Sequence, residues 1–309
     1  MQITAPEPEH IRSVADFLEW AAQLFAQQDL YFGHGTDNPW DEAVMLVLFV
    51  LKLPAENDRS ILERTLNIEQ KKQLISLAIN RVSSRIPVPY LTNEAWFAGE
   101  RYYVTKDVLI PRSPLVETIA HKFQPWLGAN KQPTKILDLC TGSGCLAILC
   151  AKYFPEAQID ATDISEAALA VAKRNRELHG CIDRVNLIYA DLFNGLAKNT
   201  YDIIVSNPPY VGQQEMQALP TEYKHEPSLA LESGIDGLDL TRIILQQAGN
   251  YLTAHGLLFV EVGTSWQTLA DKYPHIPFTW LEFANGGEGV FMLSADQLHT
   301  LKLENNNGR

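Results

Sequence analysis

The residue types best suited to chemistry stand together in Asn207-Pro208-Pro209-Tyr210. The run before them, Tyr201-Asp202-Ile203-Ile204-Val205, has the β-branched content of a buried strand. Ser206 then leads into two prolines. Proline has no N–H and a fixed φ, so the loop is stiff and presents mainly acceptors. These are the side-chain carbonyl of Asn207 and the backbone carbonyl of Pro208. A planar NH2 group offers two donors to such a pair, and Tyr210 supplies a flat face for it to stack on. Asn207, Pro208, Pro209 and Tyr210 are therefore the candidate substrate-binding residues. Asn207, Pro208 and Tyr210 are the candidate catalytic ones. Pro-Pro alone would fit a rigid turn with an aromatic plug; the full tetrapeptide at a strand end favours the chemical reading.

A second stretch, Asp138-Leu139-Cys140-Thr141-Gly142-Ser143-Gly144, joins a predicted strand to a predicted helix. Gly142 and Gly144 permit φ > 0 and close backbone approach by a nucleotide-type ligand. Asp163 closes the next strand, where a carboxylate can accept from both ribose hydroxyls. Asp191 ends the third strand, followed by Leu192. In an open parallel sheet the carboxyl ends of the strands line one crevice, so these stretches and Asn207 converge. Gly142-Ser143-Gly144-Cys145-Leu146-Ala147 equally matches the fingerprint of a nicotinamide dehydrogenase. That chemistry needs a proton donor, for which His225 in Tyr223-Lys224-His225-Glu226-Pro227 is the candidate; a surface histidine is the plainer reading.

The glycine loop and Asn-Pro-Pro-Tyr together resemble the amino-methyltransferases that use S-adenosylmethionine on planar nitrogens: glutamine amides, adenine and guanine. On that resemblance Asp138, Thr141, Gly142, Ser143, Gly144, Asp163, Asp191, Leu192 and Asn207 are the candidate cofactor-binding residues. Asp138 would stand near the cationic methionine end, or else brace the loop. Asp191 would accept from the adenine amino group with Leu192 packed on the ring, or else cap a helix. Glu261, at another strand end, is a minor candidate. No metal is called for, because a sulfonium methyl is already activated.

Positioning these residues requires an alternating α/β domain. Strands are predicted at Lys135–Leu139, Gln158–Thr162, Val185–Tyr189, Tyr201–Val205 and Gly256–Val262. Helices are predicted at Leu115–Trp126, Gly144–Lys152, Glu166–His179 and Leu238–Leu252. Phe278–Ala284 and Gly289–Leu293 flank Asn285-Gly286-Gly287-Glu288 and read as a terminal antiparallel pair. Upstream, apolar spacing predicts helices over 10–28, Trp40–Leu53 and Glu69–Ser84. The domain expectation is a helical, substrate-gripping module over 1–86, a linker with a β-hairpin over 87–114, a catalytic domain over 115–303 and a mobile tail over 304–309. The hairpin is Ala95–Ala98 and Arg101–Val104 around a Gly99-Glu100 turn.

Composition narrows the partners. The longest apolar run, Ala43–Leu51, is too short to span a bilayer, and no basic leader precedes an apolar stretch, so a cytoplasmic protein is expected. The four cysteines form no Cys-x-x-Cys pair and read as reduced core residues. A net charge of −12 argues against a grip on nucleic acid and suits a basic protein partner, although it also simply aids solubility.

The chain-wide order adds a sharper resemblance. A helical module, a hairpin ending in Ile110-Pro111-Arg112, and a catalytic domain with Asn-Pro-Pro-Tyr is similar to the protein-glutamine methyltransferases of the HemK/PrmC-like superfamily. The release-factor branch usually continues Pro-Asp-Thr-Glu after the arginine; this chain has Ser113-Pro114-Leu115-Val116-Glu117. That departure resembles the PrmB-type branch, which modifies a glutamine of the third large-subunit ribosomal protein. The resemblance implies a Rossmann-like sheet of seven strands with a terminal antiparallel hairpin. It also implies a large-subunit ribosomal protein as partner, free or in an assembling particle. A release-factor substrate, a ribosomal RNA or DNA amino-methyltransferase and a non-catalytic cofactor-binding module are the alternatives.

Overall fold

A computed structural model describes residues 6–56, 58–128, 131–198, 201–284 and 286–301. The tail Glu304 to Arg309 and Asn285 of the last loop lie outside the described residues. The chain forms two compact units. One comprises the chain up to Lys106 with Ile110–Arg112 and Leu219–Glu226; the other comprises Asp107–Leu109, Ser113–Ala218 and the chain from Pro227.

The first unit holds α1 (Val14–Gln27), α2 (Pro39–Leu51), α3 (Ile68–Ser84) and α4 (Val88–Thr92). The starts of α1, α2 and α3 are set by side chains that take orphan backbone N–H groups: Ser13 and Asp16 form a capping box on α1, Asn38 caps α2, and Asn67 with Gln70 boxes α3. Phe17, Phe25, Leu46, Leu74 and Ala78 fill the core between them. α2 stops two residues short of the expected Leu53. Pro54 disfavours helical backbone at Leu53, and the chain turns away at Lys52 with φ 54°. The hairpin is β1 (Glu94–Phe97) and β2 (Glu100–Tyr103), with Phe97 opposite Glu100. Its turn is therefore Ala98-Gly99, both at positive φ, one residue earlier than expected.

Charges brace this unit from inside. The Arg81 side chain on α3 is 0% exposed. It pairs with Glu42 of α2 at 3.1 Å and with Glu222 at 3.3 Å, and donates to the Tyr31 carbonyl at 3.0 Å. Arg85 meets Glu222 at 3.0 Å. Arg112 grips buried Glu226 through both carboxylate oxygens at 2.7 and 2.6 Å. Burial of these charges is sustained by mutual pairing.

The second unit holds α5 (Leu115–Ala120), β3 (Lys135–Leu139), α6 (Cys145–Tyr153), β4 (Gln158–Asp163), α7 (Glu166–Leu178), β5 (Val185–Tyr189), β6 (Tyr201–Ser206), α8 (Gln213–Ala218), α9 (Asp239–Gln247), β7 (Leu252–Glu261), α10 (Trp266–Lys272), β8 (Thr279–Trp280), β9 (Val290–Ser294) and α11 (Ala295–Thr300). The seven-stranded sheet runs β5-β4-β3-β6-β7-β9-β8. All pairs are parallel as far as β7; β9 is antiparallel to both β7 and β8. The terminal antiparallel pair is thus present, with β9 inserted between its partner and β7. α5 ends before the expected Trp126. Lys122 and Phe123 take positive φ, and their N–H groups return to Ile119 and Thr118 as in a Schellman end. Burial of Phe123 against Phe154 and Phe259 stabilises that turn. Among the described residues no helix is long and apolar enough to cross a membrane.

Candidate active site

The strand order reverses between β3 and β6, the two neighbours at the centre of the sheet. Their registers place Leu139 beside Ser206, and the Ser206 hydroxyl donates to the Leu139 carbonyl at 2.9 Å. The glycine loop and Asn-Pro-Pro-Tyr therefore leave the sheet side by side, at the crevice where open α/β sheets bind ligands. β4 lies on the other side of β3, with Thr162 opposite Leu139, so Asp163 joins the same end. β5 follows, pairing Tyr189 with Asp163 and carrying Asp191 one loop further.

The glycine loop is built on two left-handed residues, Gly142 at φ 54° and Gly144 at φ 80°. A side chain at Gly144 would also press on Ala172 of α7, with its Cβ only 3.2 Å from that residue's. Thr141 and Ser143 are buried within the turn, and Asn175 donates to the Ser143 carbonyl at 2.9 Å. Asp163 accepts the Gly142 N–H through Oδ2 and the Ser165 N–H through Oδ1, both at 2.9 Å. Each oxygen has two lone pairs, so the carboxylate keeps acceptor capacity for a ligand.

Asp138 is 1% exposed and differs. Its Oδ2 takes the Thr141 hydroxyl at 2.6 Å and the Ala147 N–H at 3.1 Å, which is the loop-bracing role. Its Oδ1 is buried with no hydrogen-bond partner among the described residues. Burial pushes the Asp138 carboxyl up to about 7, against the two hydrogen bonds and with help from Asp163. A buried, unpaired oxygen beside a glycine cradle fits a cationic ligand group, which would satisfy it and favour its ionised form.

Asp191 is exposed. A turn follows it, with Asn194 donating to its carbonyl at 3.0 Å, so it caps no helix. Leu192 takes φ 49° and is buried in the core with Phe193. Asn207 is half-buried, and Pro208 and Pro209 are buried beside it. Tyr210 is half-buried and its hydroxyl donates to Glu261 at 3.1 Å. His225 lies in the first unit, half-buried. Among the described residues no group of three or more His, Cys, Asp or Glu side chains is placed to hold a metal ion.

Sequence reasoning passed over the residues that collar Tyr210. Ser265 donates to its carbonyl at 2.9 Å. A Cβ at Gly237 would fall 2.2 Å from that same oxygen, and one at Gly263 would fall 2.5 Å from the Tyr210 ring. A further close approach joins Gly289 to the Gly263 backbone. The glycines were visible as residue types, but which of them meet Tyr210 depends on the pairing of β7 beside β6, which brings Gly263 alongside, and on the loop before α9, which holds Gly237.

This strand order, with a glycine loop after β3 and Asn-Pro-Pro-Tyr after β6, defines a Rossmann-like, S-adenosylmethionine-dependent methyltransferase. The family model described as "Methyltransferase small domain" matches residues 120–226. A ribosomal protein uL3 glutamine methyltransferase from Francisella tularensis is 44% identical over 94% of this chain and 92% of its own length. A protein of the same description from Neisseria gonorrhoeae is 45% identical over 94% of this chain and 97% of its own. The chain belongs to the family of ribosomal protein uL3 glutamine methyltransferases. A methyltransferase of known structure from Pyrococcus furiosus is similar at 17% identity, over 74% of this chain and 98% of its own, with a TM-score of 0.46.

Proposed function

We propose that this enzyme methylates the side-chain amide nitrogen of a glutamine in ribosomal protein uL3. The observation that carries the reading is the placement of Asn207-Pro208-Pro209-Tyr210 at the carboxyl end of β6, hydrogen-bonded in register beside the glycine loop of β3. The whole-length similarity to two uL3 glutamine methyltransferases supports the choice of amide and protein. The net charge of −12 suits a basic ribosomal protein.

S-adenosylmethionine, when bound, supplies an already activated sulfonium methyl. Gly142, Ser143 and Gly144 with Thr141 would form its cradle, and Asp138 would hold the cationic end through the unpaired Oδ1. Asp163 would accept from the ribose. Asp191 and Leu192 would take the adenine side, and Asn207 would border both ligands.

The acceptor is the difficult partner, because an amide lone pair is delocalised into its carbonyl. The Asn207 side-chain carbonyl and the Pro208 carbonyl accept its two N–H groups and turn the nitrogen toward the methyl donor. Pro209 keeps that pair of acceptors rigid, and the Tyr210 ring supports the amide plane. Holding the reacting atoms about 3–3.5 Å apart and in line removes a large part of the barrier. Positive charge grows on the nitrogen during transfer, and fixed carbonyl dipoles stabilise it preferentially in the transition state. The helical module over 1–86 grips the protein around the target glutamine. Under this reading the enzyme works in the cytoplasm, where ribosomal proteins are made and assembled.

The test is competition for labelled S-adenosylmethionine among purified uL3, undermethylated large-subunit particles, release factor and ribosomal RNA, with the label located by mass spectrometry. Label on a uL3 glutamine is expected. Label on RNA would reject the amide; label mainly on release factor would reject the branch and keep the chemistry.

A further inference from the structure

Glu261 ends β7 beside the central strand β6, and it is only 4% exposed. Both of its oxygens are engaged by hydroxyls. Oε2 takes the Ser113 hydroxyl at 2.6 Å, and Oε1 takes the Tyr210 hydroxyl at 3.1 Å. Ser113 is itself fixed, since its hydroxyl accepts the Leu115 N–H at 3.2 Å at the start of α5. Tyr210 is held at other points as well. Ser265 donates to its carbonyl, and neither Gly237 beside that oxygen nor Gly263, at φ 45°, beside the Cε2–Cζ–Cδ2 side of its ring leaves room for a Cβ. The residue is left half-exposed at the crevice.

The Glu261–Tyr210 bond has an electronic consequence. A phenol that donates to a carboxylate gains electron density in its ring, and the ring face is already the negative part of its quadrupole. A cation against that face is attracted. The nitrogen that accepts a methyl group acquires positive charge during transfer, and the charge is absent from the bound ground state. We infer that Glu261 is a positioning residue for methyl transfer: it fixes and polarises the Tyr210 ring, with Ser113 holding its second oxygen. The inference rests on the methyl-transfer reading of Asn-Pro-Pro-Tyr. Its effect belongs in kcat rather than in substrate affinity, because the stabilised charge exists only near the transition state.

The test uses the full-length protein and four variants: Glu261→Gln, Tyr210→Phe, the two combined, and Ser113→Ala. Glu261→Gln and Tyr210→Phe should each lower kcat about tenfold, the scale of a cation–π contact, with KM for the protein acceptor and calorimetric affinity for S-adenosylmethionine unchanged. The double variant should fall no further than the weaker single. Ser113→Ala, the mildest change, should lower kcat by a smaller factor. Losses that multiply in the double variant, or Tyr210→Phe at wild-type kcat, would overturn the inference. A second readout needs no substrate. With 13C-labelled tyrosine, the Tyr210 ring signals, assigned by their disappearance in Tyr210→Phe, should shift in Glu261→Gln and in Ser113→Ala. Unshifted signals would overturn the inference whatever the enzyme methylates. Shifted signals in a protein that methylates no glutamine would overturn the proposed function instead.

Discussion

Replacing Asp138 by asparagine should make the protein more stable and a poorer binder of S-adenosylmethionine. Asp138 is fully enclosed, and burial pushes its carboxyl from 3.8 up to about 7. At roughly 1.4 kcal/mol per tenfold change in proton affinity, the ionised site costs the fold about 4 kcal/mol. The sign follows from proton counts. Between pH 3.8 and about 7 the native state holds a proton that the unfolded chain has lost, so stability falls as pH rises through that window. Relative to the ionised site, the benefit is fully present below 3.8 and gone above about 7. From about pH 6 to about pH 8 this group alone should remove roughly 1.4 kcal/mol. The carbonyl of the substituted asparagine would still accept from Thr141 and Ala147, but its NH2 would occupy the unpaired Oδ1 position. An unsatisfied buried donor costs about 1–3 kcal/mol, less than the ionised carboxylate. Asp138→Asn should therefore be the more stable protein at about pH 8, and its advantage should shrink by about 1.4 kcal/mol at about pH 6. Urea unfolding followed by tryptophan fluorescence measures both. Calorimetry should show affinity for S-adenosylmethionine reduced by about 1.5–3 kcal/mol, the value of a hydrogen bond to a charged group. Wild-type affinity should tighten as pH rises through about 7, since a cationic ligand favours the ionised carboxylate. A variant less stable than wild type at about pH 8, with a difference independent of pH, would refute the reasoning.

Three further outcomes follow from the same geometry. Asn207→Ala should leave cofactor affinity near wild type and cut turnover at least about 100-fold, the scale for one preorganised polar group; near-normal turnover in a radiolabel assay would reject the acceptor role. Asp163→Ala removes the acceptor of the Gly142 and Ser165 N–H groups together with the proposed ribose contact, and calorimetry should show binding weaker by about 1.5–3 kcal/mol. Tighter binding of NADH than of S-adenosylmethionine by the wild type would contradict that site. Glu222→Ala leaves fully buried Arg81 with Glu42 as its remaining carboxylate, and should cost about 3–5 kcal/mol in urea unfolding.

The sheet was readable because its strands are short apolar runs separated by helices with sharp starts, and the order of elements follows directly. What the sequence hid were choices made by packing. Ala98 enters the hairpin turn at φ 53°, a conformation that alanine does not advertise. α5 ends early where the chain turns at Lys122 and Phe123 and buries the Phe123 ring against Phe154 and Phe259. β7 begins at Leu252 rather than Gly256, extending past an irregularity in its pairing with β6 between Tyr201 and Ile203. The site divides in the same way. Asn-Pro-Pro-Tyr and the glycine loop are contiguous, so their chemistry is legible in one line of sequence. Glu222 and Glu226 bracket Tyr223-Lys224-His225, where a surface histidine is the plainer sequence reading, yet both are buried on arginines far away in the chain; Arg81 and Glu222 are separated by 141 positions.

The three buried or half-buried carboxylates at the strand ends show why residue type alone could not assign their roles. Asp163 spends one lone pair of each oxygen on a backbone N–H, so it shapes the loop and can still receive a ligand. Glu261 accepts one hydroxyl on each oxygen, and both donors, Tyr210 and Ser113, are thereby fixed beside it. Asp138 satisfies one oxygen and buries the other unpaired, a net cost that folding alone gives no reason to retain. A cost of that kind persists where binding offsets it. Under the proposed function the electrostatics of the crevice rest on the least satisfied carboxylate, whose charge is unfavourable unless a cationic ligand group pairs with it.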